Sequence, residues 1–334
     1  MIQGNHLTLH LPEWQSQLAK AIKDPEQLLE ALNLPSKHLA DMQLAHQLFP
    51  LRVTQSYLSR IEKGNINDPL LMQVFPLAEE SLLTENYSHD PVGDKQAERY
   101  PGLLHKYKSR VLLTLTAACA IHCRYCFRRH FNYTASNATK HWEDNLAYIS
   151  QNTEINEVIF SGGDPLSLSD QRLATMINEL SRVSHIKTLR IHTRQIIVLP
   201  SRVDEDLLTW IKACRLKLVF VIHVNHPNEI DNDVAYALKQ LSIAGVTLLN
   251  QAVLLKGVND SATTLCQLSQ QLFKNNVLPY YLHILDKVHG AAHFDVSEDR
   301  AINLIKTINS ELPGYLVPKL VRELPSSPHK TPIT

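Results

Sequence analysis

No apolar run in this 334-residue chain approaches the roughly 18–20 residues needed to cross a bilayer, so no membrane-spanning helix is expected. The N-terminal MIQGNHLTLHLPEWQSQ has neither a basic head nor a continuous apolar stretch, which argues against a signal peptide. Neither sign of charge is in excess. The 33 Lys and Arg balance 33 Asp and Glu, so no global field recruits nucleic acid or anionic lipid. Low-complexity stretches and short repeats are missing as well. Cysteine is scarce, and its five residues are not spread like a secreted disulfide framework. Together these absences point to a cytoplasmic globular chain, long enough for one large domain or two medium ones.

What is present changes character along the chain. Residues 1–75 carry helical periodicity in WQSQLAKAIKDPEQLLEAL, LADMQLAHQLFPLRV and QSYLSRIEKG, divided by Pro25, Pro35 and Pro50. Residues 84–101 are polar and turn-rich and read as a connector. From residue 111 six β-rich runs recur: VLLTLT (111–116), EVIFSG (157–162), TLRIHT (188–193), LKLVFVIHV (216–224), VTLLNQAVLL (246–255) and LPYYLHIL (278–285). Stretches of helical period lie between them, which predicts an α/β chain with a parallel sheet. Continuously apolar strands imply a sheet covered on at least one face. Six βα units fit a partial barrel or an open doubly wound sheet, and in both the ligands bind at the carboxyl ends of the strands. The expected division is a helical region and connector at 1–100, a (βα)6 core at 101–312 and a C-terminal segment at 313–334.

Three of the cysteines, Cys119, Cys123 and Cys126, form CxxxCxxC within TAACAIHCRYCFRRHF, just after the first of these strands. Thiolates are soft ligands that hold iron–sulfur clusters. Three thiolates on a four-iron cubane leave one iron open, and S-adenosylmethionine can chelate that iron and be cleaved to a radical. A zinc site completed by His122 or His130 is the alternative metal reading. CRYCFRRH read alone is a basic patch that could face phosphates. After the second strand comes SGGDPL, where Gly162 and Gly163 allow close backbone approach and the Asp164 carboxylate suits an ammonium. An ordinary turn would also explain it. Cys214 and Cys266, isolated in helical stretches, read as core residues.

The CxxxCxxC loop followed by SGGDPL resembles the radical S-adenosylmethionine superfamily. The ordered set PGLLHKYKSRVLLTLTAACAIHCRYCFRRHF, SGGDPL, HTRQIIVLPSR, HVNHPNEI, NQAVLLKGVND, PYYLHILD and HKTP resembles, more narrowly, the lysine 2,3-aminomutase family over residues 90–334. The short chain and helical N-terminus look most like the branch that supplies β-lysine for modifying elongation factor P.

The resemblance implies a partial (βα)6 barrel, a [4Fe-4S] cluster on the three cysteines, S-adenosylmethionine at Gly162, Gly163 and Asp164, and pyridoxal phosphate on a Schiff-base lysine. That lysine is Lys330, with Lys319 as runner-up; the family's glycine-rich run before it is replaced here by SSPH. Arg128 takes the place of the arginine that grips the substrate carboxylate. Asp286 and Glu323 stand where acidic residues receive the distal ammonium of lysine, Glu323 replacing the usual aspartate. Lys106, Arg110, Arg194, His223 and Gln251 are weaker candidates for the cofactor pocket. The implied partners are lysine, an unidentified electron donor, and elongation factor P with its ligase; no structural zinc is expected. The competing readings are a relative acting on another amino acid such as glutamate, and a non-catalytic metalloprotein that binds nucleic acid through CRYCFRRH.

Overall fold

All six apolar runs become strands. The computed structural model describes residues 12–325 and 327–334, so the first eleven residues, weighed above for a targeting segment, lie outside the described residues. One sheet takes its ten strands in strict chain order. β1 (Glu98–Tyr100), β2 (Leu103–Tyr107) and β3 (Arg110–Thr114) make an antiparallel edge. From β3 the pairing is parallel through β4 (Glu157–Ser161), β5 (Thr188–Thr193), β6 (Lys217–Ile222), β7 (Thr247–Val253), β8 (Val277–His283) and β9 (Lys319–Arg322). β10 (Thr331–Pro332) returns antiparallel on β9.

A doubly wound sheet reverses its strand order at a switch point, whereas this order never reverses. The winding is therefore that of a partial barrel. Among the described residues no pairing joins β1 to β10, so the barrel stays open.

The crossover helices start where short polar side chains cap them. Ser169, Asp204, Asp231, Ser261 and Ser297 each accept a hydrogen bond from the backbone amide three residues on, a contact typically worth about 1 kcal/mol. Their apolar stripes pack on the outer face of the sheet. The strands alternate more than the sequence texture suggested. In β5, Leu189 and Ile191 are buried away from the cavity, while Arg190 and His192 face the barrel interior and line it. Gln251 and Val253 of β7 do the same.

Two segments differ from expectation. Residues 313–334 are no loose tail, because β9 and β10 close the sheet edge and Ile333 belongs to the main core. The stretch 84–101 is more than a connector, since it bridges Ser88 to Val288, places Asp94 in a buried position and supplies β1. The N-terminal helices share the core of the barrel: Trp14, Leu28 and Met42 belong to the same apolar cluster as Leu113 and Phe160. The three segments of the chain thus form one packed body.

Candidate active site

The carboxyl ends of the parallel strands surround a cavity of about 280 Å³. Cys119, Cys123 and Cys126 lie on its wall, and Lys330, Asp286 and Glu323 lie on the same wall although far away in sequence. Arg128, Lys106, Arg110, Arg194, His223 and Gln251 line it too. The residues singled out for the cluster, the cofactors and the substrate are brought together, whereas His122, His130 and Lys319 do not line the cavity. Lys319 is exposed at the start of β9.

The cysteine loop is gripped from behind by the N-terminal helical region. His122 N donates to Arg52 O (3.0 Å) and Arg124 N to Gln73 O (2.9 Å). Arg124 is fully buried and forks onto Glu80 (Nε to Oε1 2.8 Å, Nη2 to Oε2 2.6 Å). Arg129 adds a third bond to Glu80 Oε2 at 2.6 Å. Arg128 is held by Asp94 (2.8 Å) and by Ser161 Oγ (3.1 Å). The arginines of CRYCFRRH therefore face inward onto carboxylates, which removes the basis for a phosphate-binding surface there.

All three thiols are free of disulfides. Burial pushes the Cys119 thiol well above its ordinary range and Cys126 to about 11. Thiolates in this position need a cation to draw the protons off, and ligated iron supplies one.

The SGGDPL segment runs beside the cysteine loop. Gly163 N donates to Thr116 O at 2.6 Å and Asp164 N to Ala118 O at 2.7 Å. A Cβ on Gly163 would sit 2.5 Å from Ala118 O, and Gly162 has φ +114° with Thr116 O 3.0 Å from its missing Cβ. The glycines are required by this contact between loops, a closer reason than approach to a ligand. The Asp164 carboxylate is likewise occupied, accepting from Thr193 Oγ1 and from the amides of Leu166, Arg194 and Gln195. It laces β4 to β5, so what the segment offers a ligand is the backbone of Gly162 and Gly163.

Lys330 Nζ donates to Glu323 Oε2 at 3.0 Å on the cavity wall. Tyr107 Oη donates to Glu323 Oε1 at 2.7 Å, and Lys106 Nζ lies 3.9 Å away. Burial alone would raise the Glu323 carboxyl, but the Lys330 cation, the hydrogen bonds from Tyr107 and Lys330 and the Lys106 charge together hold the group below its ordinary value. The turn before Lys330 is closed by Ser327, whose Oγ donates to His329 O at 2.7 Å, in place of a glycine-rich run. Arg110 stacks on the Tyr107 ring with 4.2 Å to the centroid.

Asp286 is in the opposite condition to Glu323: burial pushes its carboxyl up to about 7. Three imidazoles on the wall are held neutral. Burial takes His192 and His283 well below the ordinary range and His223 to about 4. His192 Nε2 and His283 Nε2 are buried without a partner among the described residues.

A family model described as a 4Fe-4S single cluster domain matches residues 109–211, the span that contains all three cysteines. L-lysine 2,3-aminomutase from Haemophilus influenzae is 49% identical over 95% of this chain and 94% of its own. The Escherichia coli L-lysine 2,3-aminomutase is 46% identical over 98% of this chain and 97% of its own. This chain belongs to the lysine 2,3-aminomutase family. A longer member, from Clostridium subterminale, is 32% identical over 96% of this chain and 77% of its own length.

The cavity suits the family's three cofactors. Three free thiols on the cavity wall are the ligand type and number that would hold a cubane with one open iron. The unpartnered ring nitrogens of His192 and His283, with Lys330 and the cations Lys106 and Arg110, form a polar seat of the kind a phosphorylated pyridine needs.

Three of these residues, Asp94, His192 and His283, were not legible as site residues. Asp94 lies in a segment that looked like linker, and its only local signal is the Val-Gly-Asp turn with Gly93 at φ +69°. Arg194, a weaker candidate for the cofactor pocket, makes a buried salt bridge with Glu229 and also donates to the Cys123 sulfur, a contact the sequence did not suggest. Cys266 is buried as expected, whereas Cys214 caps the end of its helix and is only half-buried.

Proposed function

We propose that this chain converts L-lysine to β-lysine, a 2,3-aminomutase reaction. The observation that carries the reading is one cavity lined both by three free thiols and by Lys330, Asp286 and Glu323. When bound, the cluster and S-adenosylmethionine supply a radical that removes a β-hydrogen, and pyridoxal phosphate supplies the π system across which nitrogen migrates.

The remaining work falls to the chain. Arg128, fixed by Asp94 and Ser161, keeps Nη2 without a partner among the described residues and can present it to the substrate carboxylate. Lys330, which contacts Glu323 at 3.0 Å, would hold pyridoxal phosphate, and Glu323 would then need another cation. Asp286, raised to about 7, needs one already. The distal ammonium of lysine satisfies both groups, whereas the distal carboxylate of glutamate would be repelled by them.

The short chain and helical N-terminus support the finer reading that β-lysine is made for elongation factor P and attached by a separate ligase, with a separate electron donor, in the cytoplasm. No described helix is long and apolar enough to cross a membrane. The test is an anaerobic incubation of reconstituted protein with lysine, dithionite, S-adenosylmethionine and pyridoxal phosphate, with β-lysine measured by mass spectrometry. Failure to form β-lysine with an intact cluster would refute the proposal, as would faster turnover of glutamate.

A further inference from the structure

We propose that Arg194 is a positioning residue that sets the reduction potential of the cluster through the sulfur of Cys123, with Glu229 as its electrostatic counterweight. The proposal rests on the cluster reading above and deepens it.

Arg194 follows the last residue of β5 and is almost completely buried. Its Nη1 donates to Cys123 Sγ at 2.7 Å and to Tyr125 Oη at 2.6 Å. Nη2 donates to Gln73 Oε1 at 2.7 Å and to Glu229 Oε2 at 2.9 Å. Nε is buried with no partner among the described residues. A cluster carried by Cys123 would add sulfur acceptors beside it. Among the described residues, Cys123 is the one cysteine of the CxxxCxxC loop whose sulfur receives a side-chain hydrogen bond.

The guanidinium cannot swing away, because its partners are themselves pinned. Glu229 is fully buried, and its Oε1 accepts from Asn225 N (2.9 Å), His226 N (3.0 Å) and Gln73 Nε2 (3.2 Å). Asn225 Nδ2 donates to Tyr125 Oη at 2.7 Å and to Gln73 Oε1 at 3.0 Å. One network thus joins the N-terminal region, the cysteine loop and the ends of β5 and β6. It accounts for Arg194 of the HTR segment and Glu229 of the HPNE segment, which the proposed substrate-binding groups Arg128, Asp286 and Glu323 do not contact.

Hydrogen bonds and charge at cluster sulfurs set reduction potentials. A cation bonded to a thiolate in a low-dielectric site favours the form carrying the extra electron. A buried carboxylate on the opposite side of that cation opposes it. The two groups therefore act with opposite sign, which a merely structural pair would not do.

The experiment is an EPR-monitored redox titration of anaerobically reconstituted holoenzyme, with iron and sulfide counted, for wild type, Arg194→Gln and Glu229→Gln. The expected result is a midpoint shifted negative in Arg194→Gln and positive in Glu229→Gln. Each shift should reach at least a tenfold change in the reduction equilibrium, about 59 mV for a one-electron couple. If Arg194→Gln cannot hold a cluster, the positive shift in Glu229→Gln still decides. Midpoints equal to wild type, shifts of the same sign, or loss of the cluster from both variants would overturn the proposal. Wild-type protein that binds no four-iron cluster would instead defeat the cluster reading itself.

Discussion

Replacing Asp286 by asparagine separates binding of the substrate's far end from everything else in the cavity. The carboxyl stands at about 7 instead of 3.8 because burial penalises the charge. At 1.36 kcal/mol per pH unit, ionising it without a cation costs about 4 kcal/mol. A bound ammonium that restores ordinary behaviour recovers at most that amount, and mutational losses of buried charge partners run at about 2–5 kcal/mol. Asp286→Asn should therefore lower kcat/KM for lysine by roughly 30- to 1000-fold, about 2–4 kcal/mol.

The pH dependence has a definite sign. The wild-type carboxylate is available above about 7 and is lost as pH falls through that value. Its kcat/KM should then drop about tenfold per unit below neutrality, while the asparagine variant stays flat on that limb.

Stability moves the other way. Between about pH 4 and 7 the folded protein holds a proton at Asp286 that the unfolded chain has released, so this group lowers stability as pH rises. The cofactor-free asparagine variant should be more resistant to denaturant than wild type at pH 8 and equal to it near pH 4. Anaerobic initial rates from pH 6 to 9 and urea titrations at both pH values make the comparison. A variant with wild-type kcat/KM within threefold, or with no stability gain at pH 8, would refute the reasoning.

Three further outcomes are expected. Lys330→Ala should abolish borohydride trapping of pyridoxal phosphate on the chain, read by intact mass, whereas exposed Lys319→Ala should leave it unchanged. Gly163→Ala puts a methyl 2.5 Å from Ala118 O and should displace the cysteine loop, lowering iron per chain after reconstitution, while Gly314→Ala, with nothing within 4 Å, should load normally. Glu80→Gln leaves Arg124 and Arg129 buried without their shared carboxylate. Breaking such a pair costs about 3–5 kcal/mol, read as a lower urea midpoint, and a loss below 1 kcal/mol would contradict the geometry.

The motif residues were legible because their chemistry is rare and local. Three cysteines in eight positions and two adjacent glycines after a strand leave a mark in the sequence. The six core strands were legible as well, since a strand buried against helices keeps its apolar residues whatever lies on its other face. Asp94, Glu229, His192 and His283 left no such mark. An aspartate in a polar turn or a histidine in an apolar strand is common, and its meaning depends on which cation or cavity faces it across the fold. Arg194 was noticed, but its contact with the Cys123 sulfur was not, because the sequence carries no distance between β5 and the cysteine loop. Reading TLRIHT as continuously apolar also hid the alternation that sends Arg190 and His192 inward.

The sequence by itself determined the ligand types and the order of the six core strands and their helices, because these are properties of composition, period and spacing, while its ordered motifs carried the resemblance to the family. Only the tertiary structure decided that the barrel is singly wound, that Lys330 and not Lys319 reaches the cavity, and that the cations of the cysteine loop are neutralised from behind by Glu80 and Asp94. Burial and charge compensation arise between segments distant along the chain, so no local pattern encodes them.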